Sequence, residues 1–419
     1  MRLNIYVLAI LAVSGILIAA SCDKNIDEID INNSEPIKID LRSSELEMVK
    51  SDQQFAFELF SNVFNEEAAD MDDNFMISPL SLSMALAMTL NGAEGETKAA
   101  IQEALKLGDF SPQEVNDYYK KMREALLRTD PSTKLSIANS IWTNQNVPIK
   151  SEFIKTNQDF FSSTVKSVDF SNINTADEIN KWAADNTNNL IDNVIDKTDP
   201  LTLMYILNAI YFKGIWTSEF DPDLTQKKPF YHENGESVSV DMMNQKNDFY
   251  YSQNNTLQML QLPYGNEAYS MLILLPKEGN NLSDVNSELQ NREALNSLKS
   301  SIRETEVNVN LPKFKTEYSK RLNDALINMG MGIAFDSNRA DFSGMSGEDA
   351  FVSFVDQFTY ISTDEVGTEA AAVTVVGIGV TSYDPPRTVE FNANKPFIYV
   401  IQENSTGSIL FMGAVKNFE

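Results

Sequence analysis

Side chains that commonly perform covalent chemistry are scarce in this chain. Its 419 residues include one histidine, His232, and one cysteine, Cys22. A Ser-His-acid triad would have to use His232, which lies in a stretch typical of a strand running into a turn, and no Gly-x-Ser-x-Gly motif occurs. One residue of each kind supports neither a zinc site nor a thiol–imidazole pair. We therefore predict a protein that is not an enzyme and that uses no cofactor or metal.

The N-terminal residues predict that the chain is exported. An apolar run from Ile5 to Ala20 follows the basic Arg2. A membrane-spanning helix needs ~20 consecutive apolar residues, so this run is short for an anchor and typical of a signal peptide over residues 1–21.

Cys22 directly follows small residues, an arrangement that resembles a bacterial lipobox, although Ala19 stands where Leu is usual. The resemblance implies that Cys22 is lipidated; plain secretory cleavage is the alternative. Residues 22–48 carry scattered acids and no sustained period, so we expect a flexible tether to a single domain over 49–419. Such a protein would be an outer-membrane or cell-surface lipoprotein of a Gram-negative bacterium, or secreted, touching a membrane only through its lipid.

The charge of the chain excludes one class of partner. Lysine and arginine number 33 against 60 aspartates and glutamates, which gives a formal net charge of −27. Such a surface repels phosphate backbones, so nucleic acid is not an expected partner. The hydrophobic fraction of 42% is ample for a large core, and we expect a monomer.

The stretch from Asp364 to Val376 combines contradictory signals. Thr368 begins a helix-like run of alanines, whereas Val373 to Val376 is β-branched throughout and typical of a strand. A segment that is exposed in one state and a central strand in another would remove the contradiction. Side chains alternate along a strand, so one face of this one would carry only small or β-branched residues. These are Thr368, Ala370, Ala372, Thr374 and Val376.

This stretch also carries a family motif. It resembles the hinge of the serpins, which are suicide inhibitors of serine and cysteine proteases. The matching residues are Glu365, Gly367, Thr368, Glu369, Ala370, Ala371 and Ala372. No proline interrupts Gly367 to Val376, so every backbone N–H there can join a ladder.

The resemblance implies both a fold and a mechanism. The serpin fold is an α+β architecture with three β-sheets, about eight to nine helices and an exposed reactive-centre loop, here at about 365–388. A target protease cleaves the loop, which then inserts as a strand before the acyl-enzyme ester is hydrolysed. The protease is dragged to the far pole and its active site is distorted.

Three other segments resemble family landmarks where the main sheet opens. Phe75 to Leu82 places Ser78 and Ser81 in the so-called shutter, with Ser78 also expected to cap a helix. Leu207 to Trp216 places Asn208 in the shutter and Trp216 at the breach, where the loop first enters. In serpins a Lys that matches Lys313 pairs with the Glu that opens the hinge, so a Lys313–Glu365 salt bridge is expected.

Gln357 is a departure from the family pattern, because many serpins place a shutter histidine at about this position. A glutamine can still donate and accept hydrogen bonds for Asn208, but it cannot titrate. We therefore expect no pH-dependent gating through this residue.

Family spacing from Gly367 places the reactive bond at Thr381–Ser382. The loop up to Phe391 is longer than in some relatives, so Val380–Thr381 is an alternative. Both bonds follow a small β-branched residue, which suits an elastase-like target, whereas Tyr383 would suit a chymotrypsin-like one.

Two alternatives to an inhibitor remain at this stage. A non-inhibitory serpin would keep the fold without inserting the loop, and bulky, charged or proline residues on the inward face of the hinge would mark it; none is present. A surface-exposed binding lipoprotein would share the tether but would not account for the hinge.

Overall fold

We describe a computed structural model that covers residues 35–67, 74–368 and 388–418. In these ranges no helix is both long and apolar enough to span a bilayer. Cys22, the hinge residues Glu369 to Ala372, and the candidate reactive bond at Val380, Thr381 and Ser382 lie outside the described residues.

The described residues contain nine α-helices, most of which pack around two β-sheets. Two short 3-10 helices, Pro222–Leu224 and Met331–Phe335, complete the helical structure. The α-helices are α1 (Ser43–Glu67), α2 (Pro79–Leu90), α3 (Gly95–Ala104), α4 (Pro112–Leu126), α5 (Ser151–Phe161), α6 (Asn174–Asn186), α7 (Leu282–Gln290), α8 (Arg292–Ser300) and α9 (Asn323–Asn328).

Fifteen strands are present in the same ranges. They are β1 (Phe75–Ile77), β2 (Lys134–Asn144), β3 (Thr164–Val168), β4 (Met204–Ile215), β5 (Gln226–Tyr231), β6 (Ser237–Gln253), β7 (Leu257–Tyr264), β8 (Tyr269–Pro276), β9 (Arg303–Pro312), β10 (Phe314–Arg321), β11 (Asp356–Thr363), β12 (Gly367–Thr368), β13 (Val389–Asn392), β14 (Phe397–Glu403) and β15 (Ile409–Val415).

Hydrogen bonding joins these strands into two sheets. The nine-stranded sheet has the order β1-β15-β14-β8-β7-β6-β9-β13, with β5 paired to β6, and the six-stranded sheet has the order β10-β11-β12-β4-β2-β3. The expected α+β serpin class is confirmed. Three sheets were expected, but β6 pairs with β5, β7 and β9 along its 17 residues and so links the strands around it into one network.

Continuous apolar runs form the most deeply buried elements. All eight residues of β8 are buried, as its unbroken run of apolar residues requires for a strand between two neighbours. Helix α2 is buried on nearly every side and starts with Pro79, whose fixed φ suits a first turn. The expected cap is wrong in one respect, because the Ser78 hydroxyl makes no capping bond and donates instead to the Leu410 carbonyl at 2.8 Å.

The N-terminal segment joins the body earlier than expected. A flexible tether was predicted over 22–48, but α1 begins at Ser43 and Met48 is buried. Upstream of α1, the Ile37 N–H donates to the Thr129 carbonyl at 3.3 Å, and the Ile39 N–H donates to Ser405 Oγ at 3.1 Å. The side chains of Ile39 and Leu41 pack partly buried against the main core, so they gain more by packing than by remaining in a solvated linker, whereas Ile37 stays exposed.

Candidate functional site

The two-residue strand β12 is wedged between β11 and β4 at one end of the six-stranded sheet. Thr368 lies opposite Thr363 of β11 and opposite Gly214 of β4, and Gly367 lies opposite Ile215. Because β12 is antiparallel to both neighbours, β4 and β11 run parallel to each other. Beyond Thr368, the part of the chain that the structure describes places no strand between them. We call the space between Met204–Lys213 of β4 and Asp356–Ser362 of β11 the sheet gap.

The edge of β4 that faces the sheet gap carries backbone groups with which no strand of the described residues pairs. The Trp216 N–H donates to the Val366 carbonyl at 2.8 Å, which fixes the residues of β4 that point toward β12. Bonds to one neighbour recur at every second residue of an antiparallel ladder. The groups that face the gap therefore belong to Phe212, Ile210, Asn208, Ile206 and Met204.

A tight turn delivers the chain from β11 to β12. The Asp364 carboxylate accepts hydrogen bonds from the N–H groups of Val366 and Gly367 at 3.0 and 3.2 Å, and the Asp364 N–H donates to the Gly367 carbonyl at 2.9 Å. A Cβ on Gly367 would lie 2.1 Å from the Gly214 carbonyl oxygen. Only glycine allows so close an approach of the hinge backbone to β4.

An aromatic pair holds the start of the hinge in place. The Trp216 ring stacks on Tyr264 with centroids 4.4 Å apart, and its indole N–H donates to the Asp364 carbonyl at 3.0 Å. The Tyr264 hydroxyl lies 2.6 Å from the hydroxyl of Thr368, which is only 2% exposed. Burial raises the pKa of Tyr264, so this hydroxyl stays protonated and available as a donor. Thr368 was expected to be buried only after insertion; that expectation is wrong, since Tyr264 already gives it a buried partner.

The expected ion pair between Lys313 and Glu365 is present. Lys313 Nζ lies 2.7 Å from Glu365 Oε1, and the Thr225 hydroxyl donates to the same oxygen at 2.7 Å. Burial alone would raise the pKa of Glu365, but the hydrogen bonds from Lys313 and Thr225 outweigh it and lower the pKa. This stabilisation is complete above the unfolded pKa of about 4.3 and is lost as the pH falls through the lower folded value.

Helix α2 is bonded to both sides of the sheet gap. On the β11 side, Gln357 accepts from the Ser78 N–H and donates to the Ser78 carbonyl, both at 2.9 Å. On the β4 side, the Ser81 hydroxyl donates to Asn208 Oδ1. The expected partnership of Gln357 with Asn208 is therefore wrong, because the two residues lie on strands that the gap separates and each finds its partner on α2.

Asn139, the second side-chain partner of Asn208, was not predicted from the sequence. Asn208 Nδ2 donates to Asn139 Oδ1 at 2.6 Å, and Asn139 Nδ2 donates to the Phe161 carbonyl at 2.8 Å. Asn139 is 2% exposed on β2, directly opposite Asn208. The available signal was Asn208 itself, a polar residue in the largely apolar strand β4, whose amide must find a partner or cost about 1–3 kcal/mol.

His232 and the acidic side chains of the described residues do not form a metal centre. His232 directly follows β5 and is half-buried. No group of three or more His, Cys, Asp or Glu side chains that could hold a metal occurs among the residues with described positions.

Comparisons with known proteins identify the fold. A family model described as Serpin (serine protease inhibitor) matches residues 50–418. A serpin-like protein of Thermococcus kodakarensis, itself uncharacterized, is 37% identical over 380 residues, 88% of this chain and 85% of that protein. Intracellular coagulation inhibitor 2 of Tachypleus tridentatus is 34% identical over 373 residues, 87% of this chain and 89% of that protein.

Solved structures of serpins share the fold of this chain. The native state of tengpin, a thermophilic serpin, superposes with a TM-score of 0.81 at 30% identity and covers 93% of this chain and 98% of that one. Human thyroxine-binding globulin, solved as a complex with thyroxine, gives a TM-score of 0.80 at 28% identity and covers 90% of this chain and 99% of that one.

Proposed function

Because the chain belongs to the serpin family, whose members are mostly protease inhibitors rather than enzymes, we propose that it traps serine proteases by inserting its cleaved loop into the sheet gap. The observation that carries this proposal is the position of β12. Gly367 and Thr368 already pair with both β4 and β11 at the end of the sheet gap, and no other strand of the described residues pairs with this edge of β4. A strand that continued from Thr368 would satisfy this edge.

The register of β12 predicts where the rest of the loop would lie. Six residues beyond Thr368 is Thr374, which would come opposite Asn208, six residues before Gly214. The same step along β11 leads from Thr363 to Gln357. Because side chains alternate, Thr374 would point to the same face as Thr368, toward α2. The inserted loop would thus place the Thr374 hydroxyl between Asn208 and Gln357, the two amides that are bonded to α2 and its N-cap.

The composition of the loop supports insertion over a non-inhibitory role. The residues that would share the inward face with Thr368 are small or β-branched, and none is charged or proline. They are Ala370, Ala372, Thr374 and Val376. Large or charged groups on this face would slow insertion, and the acyl-enzyme ester would then be hydrolysed first.

A gel experiment tests the proposed function. Elastase-, chymotrypsin- and trypsin-like proteases are incubated with the protein, and a complex that survives boiling in detergent is expected with at least one of them. Each protease with its nucleophilic serine replaced by alanine is the control and should give no such complex, since no ester can form. Complete cleavage of the loop by all three without a stable complex would instead favour a non-inhibitory serpin.

We also propose Thr381–Ser382 as the reactive bond, with an elastase-like target. Thr381→Arg should redirect inhibition toward trypsin-like proteases, because their specificity pocket binds a cation. Relative association rates with trypsin- and elastase-like enzymes measure the change, and Tyr383→Arg, two residues farther on, is the matched control. Sequencing of the fragment released from the complex locates the bond; cleavage outside Val380 to Tyr383 would contradict the assignment.

The export and anchoring predictions extend this proposal. Lipidation of Cys22 should appear as a lipid-modified N-terminal cysteine in the mass spectrum of the mature protein. Cys22→Ser should remove the modification and release the protein from membranes, because the chain has no other cysteine. A mature protein whose N-terminus is a free amine at any other residue would contradict the lipidation. It would also contradict a lipid-anchored location at the outer membrane or cell surface.

A further inference from the structure

A cavity of about 190 Å³ passes through the six-stranded sheet in the part of the sheet gap farthest from β12. Its lining includes Ala85 of α2 and Trp182 of α6. These helices lie on opposite faces of the sheet: Ile206 and Ile210 of β4 pack into the main core with α2, whereas Tyr205 and Leu207 pack with α6. A cavity that both helices line must therefore cross the sheet between β4 and β11.

The chemistry of the lining favours an uncharged aromatic ligand. Aromatic walls come from Trp182, Tyr205 and Phe354, and neutral amides come from Asn208 and Gln357. The one carboxylate among the lining residues belongs to Asp356, which Arg321 already binds through two nitrogens at 2.8 and 2.9 Å. A charged ligand would find no unpaired countercharge there and would lose its hydration.

Aromatic side chains of the cavity wall pack against one another. The Tyr205 ring of β4 is tilted against the ring of Phe354, which precedes β11, with centroids 5.8 Å apart, and Phe170 packs edge-on against Tyr205 at 4.9 Å. The Arg321 guanidinium lies 5.0 Å from the centre of the Phe354 ring. These contacts order the aromatic side chains that line the cavity, so a ligand would lose little affinity to reorganisation of the walls.

We propose that this cavity binds a small uncharged aromatic molecule bearing one hydroxyl or amide group, and that the bound molecule opposes insertion of the loop. An apolar cavity of about 150 Å³ is enough to bind benzene. The present cavity is larger and has amides at one end, so it also accommodates the polar group. The second part of the proposal rests on the proposed function, because the extended register places Thr374 to Ile378 beside Asn208 to Met204, which line the same space.

Binding is tested on the intact full chain with 4-fluorophenol, observed by fluorine NMR. Saturable broadening or a saturable shift of the fluorine signal is expected. Ala85→Leu, which fills the cavity from α2, should weaken binding at least tenfold, whereas Ala99→Leu on the exposed face of α3 should not change it. Absence of saturable binding, or equal binding to both variants, would overturn the proposal.

Two further measurements keep the test decisive if Ala85→Leu does not fold. Val352→Phe enlarges a second lining side chain of the same cavity and should weaken binding to a similar degree. Independently of any variant, p-cresol should displace the probe from the unmodified protein, whereas the anion 4-methylbenzoate should not. Equal displacement by the anion would show that the ligand class is wrong.

Cleavage of the loop separates this inference from the proposed function. After clean nicking, insertion should raise the thermal midpoint and abolish 4-fluorophenol binding together. A raised midpoint with unchanged binding would overturn the claim that ligand and loop compete. If neither the midpoint nor the binding changes, the ligand site is still supported. The insertion mechanism, and with it the claim that the ligand opposes insertion, would then be wrong.

Discussion

Nicking of the reactive loop between Val376 and Arg387 is expected to raise the thermal midpoint of the protein by roughly tens of degrees. The released strand can then fill the sheet gap and satisfy the open edge of β4 from Phe212 to Met204. Apolar side chains and hydrogen bonds on both edges become buried in one step. The rise should therefore far exceed the ~2–4 °C that 1 kcal/mol produces in domains of moderate size.

Differential scanning calorimetry of intact and cleanly nicked protein measures this shift. Nicked Thr368→Arg protein is the control, since a cation in the first buried position should prevent insertion and leave its midpoint near that of the intact Thr368→Arg variant. If the unmodified protein also keeps its midpoint after nicking, it does not insert its loop, and the non-inhibitory alternative holds.

Thr368→Arg should convert the inhibitor into a substrate, with a stoichiometry of inhibition raised at least about tenfold. Thr368 is 2% exposed and shares a hydrogen bond with Tyr264. An arginine there would place an unpaired charge in the interior at a cost of several kcal/mol. The hinge would leave the sheet, the loop would still be cleaved, and insertion would be slower than hydrolysis of the acyl-enzyme.

Glu369→Arg is the matched control for this substitution. The adjacent residue of a strand points to the opposite face, so the same arginine at position 369 should have a much smaller effect. Because Thr368 is already buried in the uncleaved protein, Thr368→Arg should also lower the thermal midpoint before cleavage, and Glu369→Arg should not. Equal trapping of protease by Thr368→Arg and the unmodified protein would contradict the insertion mechanism.

The residues of the hinge could be recognised from sequence because their constraints are local. Gly367 must be small where the chain approaches β4, and the alternation of small residues beyond it follows from the two-residue period of a strand. The ion pair of Lys313 with Glu365 was also anticipated, from the family resemblance. The burial of Thr368 was not, because it depends on Tyr264, more than 100 positions away in the chain.

The hydrogen-bond partners of the shutter residues Asn208 and Gln357 could not be predicted from sequence for the same reason. A buried polar Asn208 implies that some partner exists, but its identity depends on the register of β2 against β4, which places Asn139 opposite it. Gln357 was matched to Asn208 on family grounds, but the two residues lie on strands that are not neighbours in the sheet, and Gln357 bonds Ser78 whereas Asn208 bonds Ser81. The cavity could not be predicted at all, because it arises where two strands fail to pair.

The short strand β12 has a kinetic consequence. Pairing between two strands is slow to start and fast to lengthen once the first bonds have formed, and an entire hairpin needs only about 1–10 μs. In this protein the starting contacts at Thr363 and Gly214 exist before any protease arrives. They also settle the alignment, since a slip by one residue would turn every inward side chain outward. In the proposed mechanism, insertion of the loop would therefore lengthen an existing strand rather than start a new one.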